Sequence, residues 1–195
     1  MENGQTKLGA GIVAGAIGGL FASWVMNAVM EGAGPKIQQV AEKLDPSAHH
    51  PEATAQSQLR NQSQNQAQSE SSNGEVKEDA TMKTADAVVS AVTGGRHLSF
   101  QGKQKGGPIV HYAFGALMGA LYGATAEYST KARLGFGTVF GAALFAGADL
   151  WAVPALHLSG SSSDALVSSL ATPLTAHLVY GAATEGVRRL VRAAI

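Results

Sequence analysis

The chain has 195 residues, no cysteine, and 14 basic against 14 acidic residues, so its formal net charge is zero. Zero net charge provides no electrostatic footprint for nucleic acid, and the absence of cysteine excludes disulfides and thiolate metal sites. A hydrophobic content of 45% resembles that of a soluble domain. That average hides a segregated chain, in which long uncharged stretches alternate with polar ones.

The N-terminal region, residues 1–30, contains an uncharged stretch over 8–30. It is long enough to cross a hydrocarbon core of about 30 Å at about 1.5 Å per residue. Glycines recur at every fourth position, as Gly11, Gly15 and Gly19. In lipid such a row allows close approach of a second helix, whereas in water each glycine would cost about 1 kcal/mol relative to alanine. The sequence therefore predicts a transmembrane helix; the alternatives are a cleaved signal peptide, which normally has a shorter apolar region, and a chance spacing.

A hydrophilic region follows over residues 31–107 and is expected to form a long outer loop. Apolar residues share one helical face near 35–44 and again near 80–93, which predicts two short amphipathic helices. Between them, residues 54–76 are rich in Gln, Ser and Asn and bury too little apolar area to offset the entropy of ordering the chain. We expect this tract to be disordered.

The remainder, residues 108–195, contains three further predicted spans, at 108–126, 134–158 and 165–184. The first begins at a proline, where a missing N–H costs least, and carries a second glycine row, Gly115, Gly119 and Gly123. The last two contain proline and polar residues, which weaken their hydropathy signal. The predicted fold class is an all-α membrane protein, a four-transmembrane-helix bundle with amphipathic helices in its outer loop.

Basic residues in the short connecting segments predict the orientation of the bundle. In a four-span topology one side receives all of them: Lys7, Lys131, Arg133, Arg188, Arg189 and Arg192. The turn between the last two spans has none. Both termini are therefore expected on the cytoplasmic side, and the first two spans become antiparallel neighbours whose glycine rows are able to face each other.

Three strings carry a resemblance to a known family. They are HYAFGALMGALYGATAE (111–127), GFGTVFGAALFAGADLWAVPALHLSG (135–160) and GGLFASWVMNAVM (18–30). Together they resemble the YagU-like bacterial inner-membrane proteins. The resemblance implies a multi-pass protein of the bacterial inner membrane with a loose link to survival in acid, and it implies no defined activity.

Polar residues inside the predicted spans are the candidate functional residues, because such groups are costly in lipid and usually face the bundle interior. They are Asn27, His111, Asp149, Thr172 and His177. A pocket around Asp149 is one reading, in which His111 and Asp149 form a pH-dependent pair. The structural alternative is that Asp149 braces the helix break at Pro154.

No reactive constellation accompanies these residues. His49 and His50 lack further His or Cys ligands at metal-site spacing, and no glycine-rich phosphate loop follows a strand. We therefore predict no catalytic site, no metal and no cofactor. The expected role is that of a structural or accessory, stress-related membrane bundle that contacts the lipid bilayer and forms a homo-oligomer or joins a membrane complex; the alternative is a small transporter, channel or proton-responsive protein.

Overall fold

The computed structural model describes residues 2–44, 80–156 and 167–195, and within these ranges the secondary structure is helical, with no strand. The helices are α1 (Glu2–Gly32), α2 (Gly34–Leu44), α3 (Ala80–Thr93), α4 (Phe100–Tyr128), α5 (Thr138–Phe145), α6 (Val153–Ala155) and α7 (Val167–Ala194). A 3₁₀ segment (Thr130–Gly137) precedes α5, and a π-helical segment (Ala146–Ala152) joins α5 to α6. The predicted disordered tract and the His49–His50 pair lie outside the described residues.

Within the described residues, three helical stretches are long and apolar enough to cross a membrane: Lys7–Gly32, Phe100–Tyr128 and Thr130–Ala155. The sequence predicted four such spans. The fourth candidate, α7, is long but does not reach the same apolar character. Three of its polar residues, Thr184, Glu185 and Arg188, are buried inside the protein, so part of its polarity lies in the interior of the bundle.

Helix α4 begins earlier than the sequence predicted. Pro108 was expected at the start of the helix and instead lies inside it, because the helix is capped at Ser99. The Ser99 side chain accepts a hydrogen bond from the N–H of Gly102 at 3.2 Å, which satisfies one of the free N–H groups of the first turn. The interior proline therefore removes one N–H donor from an established helix.

The stretch that contains the third candidate span is not one continuous helix. Around Gly135, Phe136 and Gly137 the backbone is left-handed, with φ angles of 61°, 54° and 84°. Glycine adopts this conformation without strain, and the chain turns here before α5 begins. This turn lets the chain reverse after α4 within a few residues.

Helix α1 packs against both α4 and α7, and α5 packs against α7. In the part of α1 whose burial is described, residues 7–32, only small side chains are buried. They are Gly11, Ala14, Gly15, Gly18, Gly19, Ala22 and Ser23. A stripe of this kind lets two neighbouring backbones approach closely.

The two glycine rows predicted from the sequence face each other across the α1–α4 contact. A Cβ built on Gly15 would lie 2.8 Å from the Cα of Gly123, and one built on Gly119 would lie 2.7 Å from the Cα of Gly19. One helical turn beyond Gly19, a Cβ built on Gly115 would collide with the Ser23 hydroxyl. No side chain larger than hydrogen fits at these positions without moving the backbones apart.

A second glycine contact joins α5 to α7. A Cβ on Gly181 would lie 2.9 Å from the backbone nitrogen of Gly141, and one on Gly137 would collide with the carbonyl of Gly181. Gly18 of α1 contacts α7 in the same way, since a Cβ built on it would lie 2.7 Å from the carbonyl oxygen of Thr184. The α1–α4, α1–α7 and α5–α7 contacts are thus each made through glycine.

The amphipathic helices lie beside this bundle. Helix α2 packs on α7, where the Thr172 hydroxyl donates to the carbonyl of Gly34 at 3.1 Å. Helix α3 packs on the start of α4, and its Asp86 accepts from the N–H of Leu98 at 2.6 Å and lies 3.0 Å from His97 Nδ1. The hydrogen bonds with His97 and Leu98 hold the pKa of Asp86 below its usual range. The ionised contact is therefore complete at neutral pH and is lost as the pH falls through that lowered pKa.

Candidate functional site

The five predicted pocket residues fall into two groups. Asn27 and His111 continue the two glycine rows by one further helical turn beyond Ser23 and Gly115, so the antiparallel register places them at the same level of the α1–α4 contact. The His111 ring contacts the Tyr112 ring edge-on, with centroids 5.7 Å apart. Thr172 lies elsewhere, bonded to Gly34 between α7 and α2.

The remaining two, Asp149 and His177, lie side by side. Asp149 Oδ2 is 3.7 Å from His177 Nδ1, and that nitrogen is also 2.9 Å from the carbonyl oxygen of Pro173. The sequence suggested His111 as the partner of Asp149; in the structure the imidazole beside Asp149 is that of His177. The ring of Phe145 covers it, 5.6 Å away between centroids.

Asp149 belongs to the π-helical segment between α5 and α6. A π turn inserts one extra residue into a helix and recurs at functional sites, and Pro154 follows shortly after, without an N–H to continue α-helical bonding. The helix distortion and the carboxylate thus occur together. The side chain of Asp149 is 37% exposed and that of His177 only 9%, so the pair is accessible from its aspartate side.

The largest polar cluster lies at the opposite end of the bundle, around Glu185, and sequence reasoning did not identify it. The Glu185 side chain is 0% exposed. Its Oε2 accepts from the Tyr122 hydroxyl at 2.9 Å and from Arg188 Nε at 2.7 Å, and its Oε1 accepts from Arg189 Nε at 2.6 Å. Helices α4 and α7 are joined by this buried carboxylate.

A second carboxylate, Glu127, extends the cluster at the end of α4. Arg192 Nε and Nη2 donate to its two oxygens at 2.8 and 3.2 Å, and Arg188 Nη1 lies 3.5 Å from Oε1. Arg188, whose side chain is 5% exposed, therefore bridges the two carboxylates. The spacing of Glu185, Arg188 and Arg189 at i, i+3 and i+4 is the sequence pattern that indicates ion pairs on one helix face. These arginines were used in the sequence analysis only to predict the orientation of the bundle.

Beside the cluster lies an open concavity of about 320 Å³, lined by Glu127, Arg133, Arg188, Arg189, Arg192 and Ala193. Arg133 reaches it from the 3₁₀ segment and donates through Nε to the carbonyl of Ala126 at 3.0 Å. Arg189 stacks on the Phe136 ring, 4.7 Å from its centroid. Since four arginines surround two carboxylates, Glu127 and Glu185, the group carries a formal excess of two positive charges.

Neither end shows the grouping that a metal ion would need: among the described residues no set of three or more His, Cys, Asp or Glu side chains converges. Comparison with protein-family models, curated proteins and solved structures finds no match to this chain. Functional assignment therefore depends on the arrangement of the residues themselves.

Proposed function

We propose that this chain is an integral membrane protein, a structural or accessory helix bundle without a catalytic site. The observation that supports it is the distribution of side chains. Large apolar residues cover the outside of the three apolar stretches, among them Ile17, Phe21, Trp24, Ile109, Phe114, Leu117, Leu121, Val139 and Trp151. Most buried positions hold small or polar residues such as Ala22, Ser23, Thr184 and Glu185, together with a few large side chains: Met82, Tyr122, Phe145 and Tyr180.

A water-soluble bundle buries most of its large apolar side chains, whereas this protein exposes many of them. A contiguous apolar exterior is unfavourable in water and marks a surface that meets another apolar phase. In lipid no hydrophobic force holds helices together, so contact through glycine and internal hydrogen bonds must do so. Both kinds of contact occur in the interior of this protein, beside the ring contacts of Phe140 with Tyr122 and Tyr180.

We further propose that α7 is the fourth span. Its polar residues Thr184, Glu185 and Arg188 are buried, so they lower its hydropathy without meeting lipid. Four spans return the C-terminus to the side of the N-terminus, with the basic residues of both chain ends and of the 130–137 segment together. The resemblance of 111–127 and 135–160 to the YagU-like family supports the bacterial inner membrane as the location. A homo-oligomer or a membrane complex is the assembly that we propose for it.

Extraction and cysteine labelling test this proposal. The protein should remain in the membrane pellet in alkaline carbonate and dissolve only in detergent; release by carbonate would contradict the proposal.

Because the chain has no cysteine, single cysteine substitutions show on which side of the membrane each residue lies. Four spans predict that Lys131→Cys and Ala194→Cys are labelled from one side and Arg96→Cys from the other, whereas three spans would place Ala194→Cys with Arg96→Cys.

A second candidate function is proton-responsive transport, favoured by the contact between Asp149 and His177 beside a π-helical break. An intramembrane acid next to an imidazole is a common element of proton paths. In proteoliposomes with an internal pH dye, Asp149→Asn and His177→Gln should then each abolish pH-dependent flux, while Glu31→Gln, an exposed carboxylate at the end of α1, should leave it intact. Unchanged flux in both variants would contradict this candidate.

A further inference from the structure

The basic concavity at the Glu185 end has more positive charge than its own carboxylates neutralise. Arg188 and Arg192 are engaged by Glu185 and Glu127. Among the described residues, Arg133 forms no ion pair, and its one hydrogen bond uses Nε alone. Its terminal nitrogens therefore remain as donors at the concavity, beside those of Arg189, whose side chain is 53% exposed.

Guanidinium groups in this arrangement suit one ligand chemistry above others. Arginine offers paired N–H donors whose geometry matches the oxygens of a phosphate group. Several arginines around one small volume are therefore suited to binding phosphate. The two acidic side chains do not block the site, because the arginines already hold both of their oxygens. The concavity of about 320 Å³ is large enough to admit a phosphate group with its substituent.

The side chains around the concavity indicate what kind of group is attached to the phosphate. It opens where α4 ends and the 130–137 segment begins, at the limit of two of the apolar stretches. Exposed apolar side chains lie in the same segment and next to the arginines: Leu134, Phe136 and Leu190. Phe136 is in direct contact with Arg189. A ligand with a phosphate at one end and hydrocarbon at the other would satisfy both surfaces.

We propose that this concavity binds the phosphate of an anionic phospholipid headgroup. Basic pockets between helices at the membrane surface bind such lipids, and each arginine near the surface contributes about 1 kcal/mol. The lipid would lie with its phosphate between Arg133 and Arg189 and its chains along the apolar surface next to Phe136. In this position it would neutralise one of the two excess charges and brace the turn between α4 and α5 against α7.

The test is lipid binding by the full chain in detergent, measured by native mass spectrometry. Wild-type protein should retain phosphatidylglycerol in preference to phosphatidylcholine. Arg133→Gln should weaken phosphatidylglycerol binding about fivefold, the equivalent of one lost arginine contact. Lys131→Gln is the matched control, because it removes a charge from an exposed side chain of the same turn that does not line the concavity. Equal losses in the two variants, or equal retention of the two lipids, would overturn the proposal.

Two further arms complete the test. Sodium phosphate replacing chloride at constant ionic strength should not displace the lipid; displacement would show that free phosphate, and not a lipid, is the ligand. Arg189→Gln should also weaken binding, and it serves as the test if Arg133→Gln lowers the melting temperature and thus disturbs the fold. The inference rests on the proposed membrane location, yet the two fail differently: release by carbonate contradicts the location, whereas a carbonate-resistant protein without lipid preference contradicts only this site.

Discussion

Gly15→Leu should prevent α1 from packing against α4. A Cβ at Gly15 already lies 2.9 Å from the carbonyl carbon of Gly119 and 2.8 Å from the Cα of Gly123, so the two backbones would have to separate along the whole contact. Overpacking costs typically 1–3 kcal/mol, and because rigid backbone blocks the new atoms here, we expect a loss of about 3 kcal/mol or more. The measurement is unfolding in mixed micelles of detergent and SDS, followed by circular dichroism.

The matched control for this variant is Gly9→Leu. Gly9 belongs to the same helix, and a Cβ built there meets nothing within 4 Å. This change should leave the unfolding midpoint nearly unaltered, since leucine also has a better helix propensity than glycine. If Gly15→Leu and Gly9→Leu unfold at the same SDS fraction, the glycine rows do not hold α1 to α4.

This result also bears on self-association. The two rows face each other within one chain and are therefore not available to a second copy. Gly15→Leu should destabilise the monomer itself, and any oligomer should be lost together with the fold. An oligomer that dissolves while each chain keeps its helix packing would mean that the rows contact a partner instead.

Glu185→Gln should produce the second large effect. The substitution keeps the shape of the side chain and removes the charge, which leaves the buried Arg188 with only the longer contact to Glu127 at 3.5 Å. Removing one partner of a buried ion pair costs about 3–5 kcal/mol. Because Glu127 compensates in part, we expect about 3 kcal/mol, measured by the same SDS unfolding titration.

Two comparisons make this prediction specific. Glu31→Gln removes an exposed carboxylate and should change stability by no more than about 0.5 kcal/mol. Adding Arg188→Met to Glu185→Gln should recover part of the loss, since the stranded charge is then replaced by an apolar side chain. A double variant less stable than Glu185→Gln alone would show that Arg188 stabilises the fold by some contact other than its carboxylates.

Helices α2, α3 and α4 show which features composition and periodicity predict and which they miss. Apolar faces near 35–44 and 80–93 indicated α2 and α3, which the structure describes at Gly34–Leu44 and Ala80–Thr93. The start of α4 was placed too late, because Pro108 was interpreted as a first-turn residue. The helix is capped at Ser99, nine residues before that proline. A cap is a local hydrogen bond, and several serines in a sequence are equally able to form one.

Residue partners were harder to predict than elements. Asp149 was recognised as an unusual intramembrane acid, yet its neighbour, His177, lies on a different helix whose position depends on the contacts of Gly137 and Gly141 with α7. Likewise, no partner was assigned to Glu127 or Glu185 from the sequence. Only the packing of α4 against α7 brings Tyr122 and Arg192 to them.

The sequence by itself determined the helical class, the apolar stretches and the small-residue rows, because these depend on local composition and on a spacing of four residues along one helix. The tertiary structure alone decided which helices are neighbours, that α1 contacts both α4 and α7, and that the arginines converge on two carboxylates. Those outcomes depend on backbone approach and on charge pairing between segments distant in the chain. Such contacts form between helix faces, and no pattern along a single helix specifies the partner of each face.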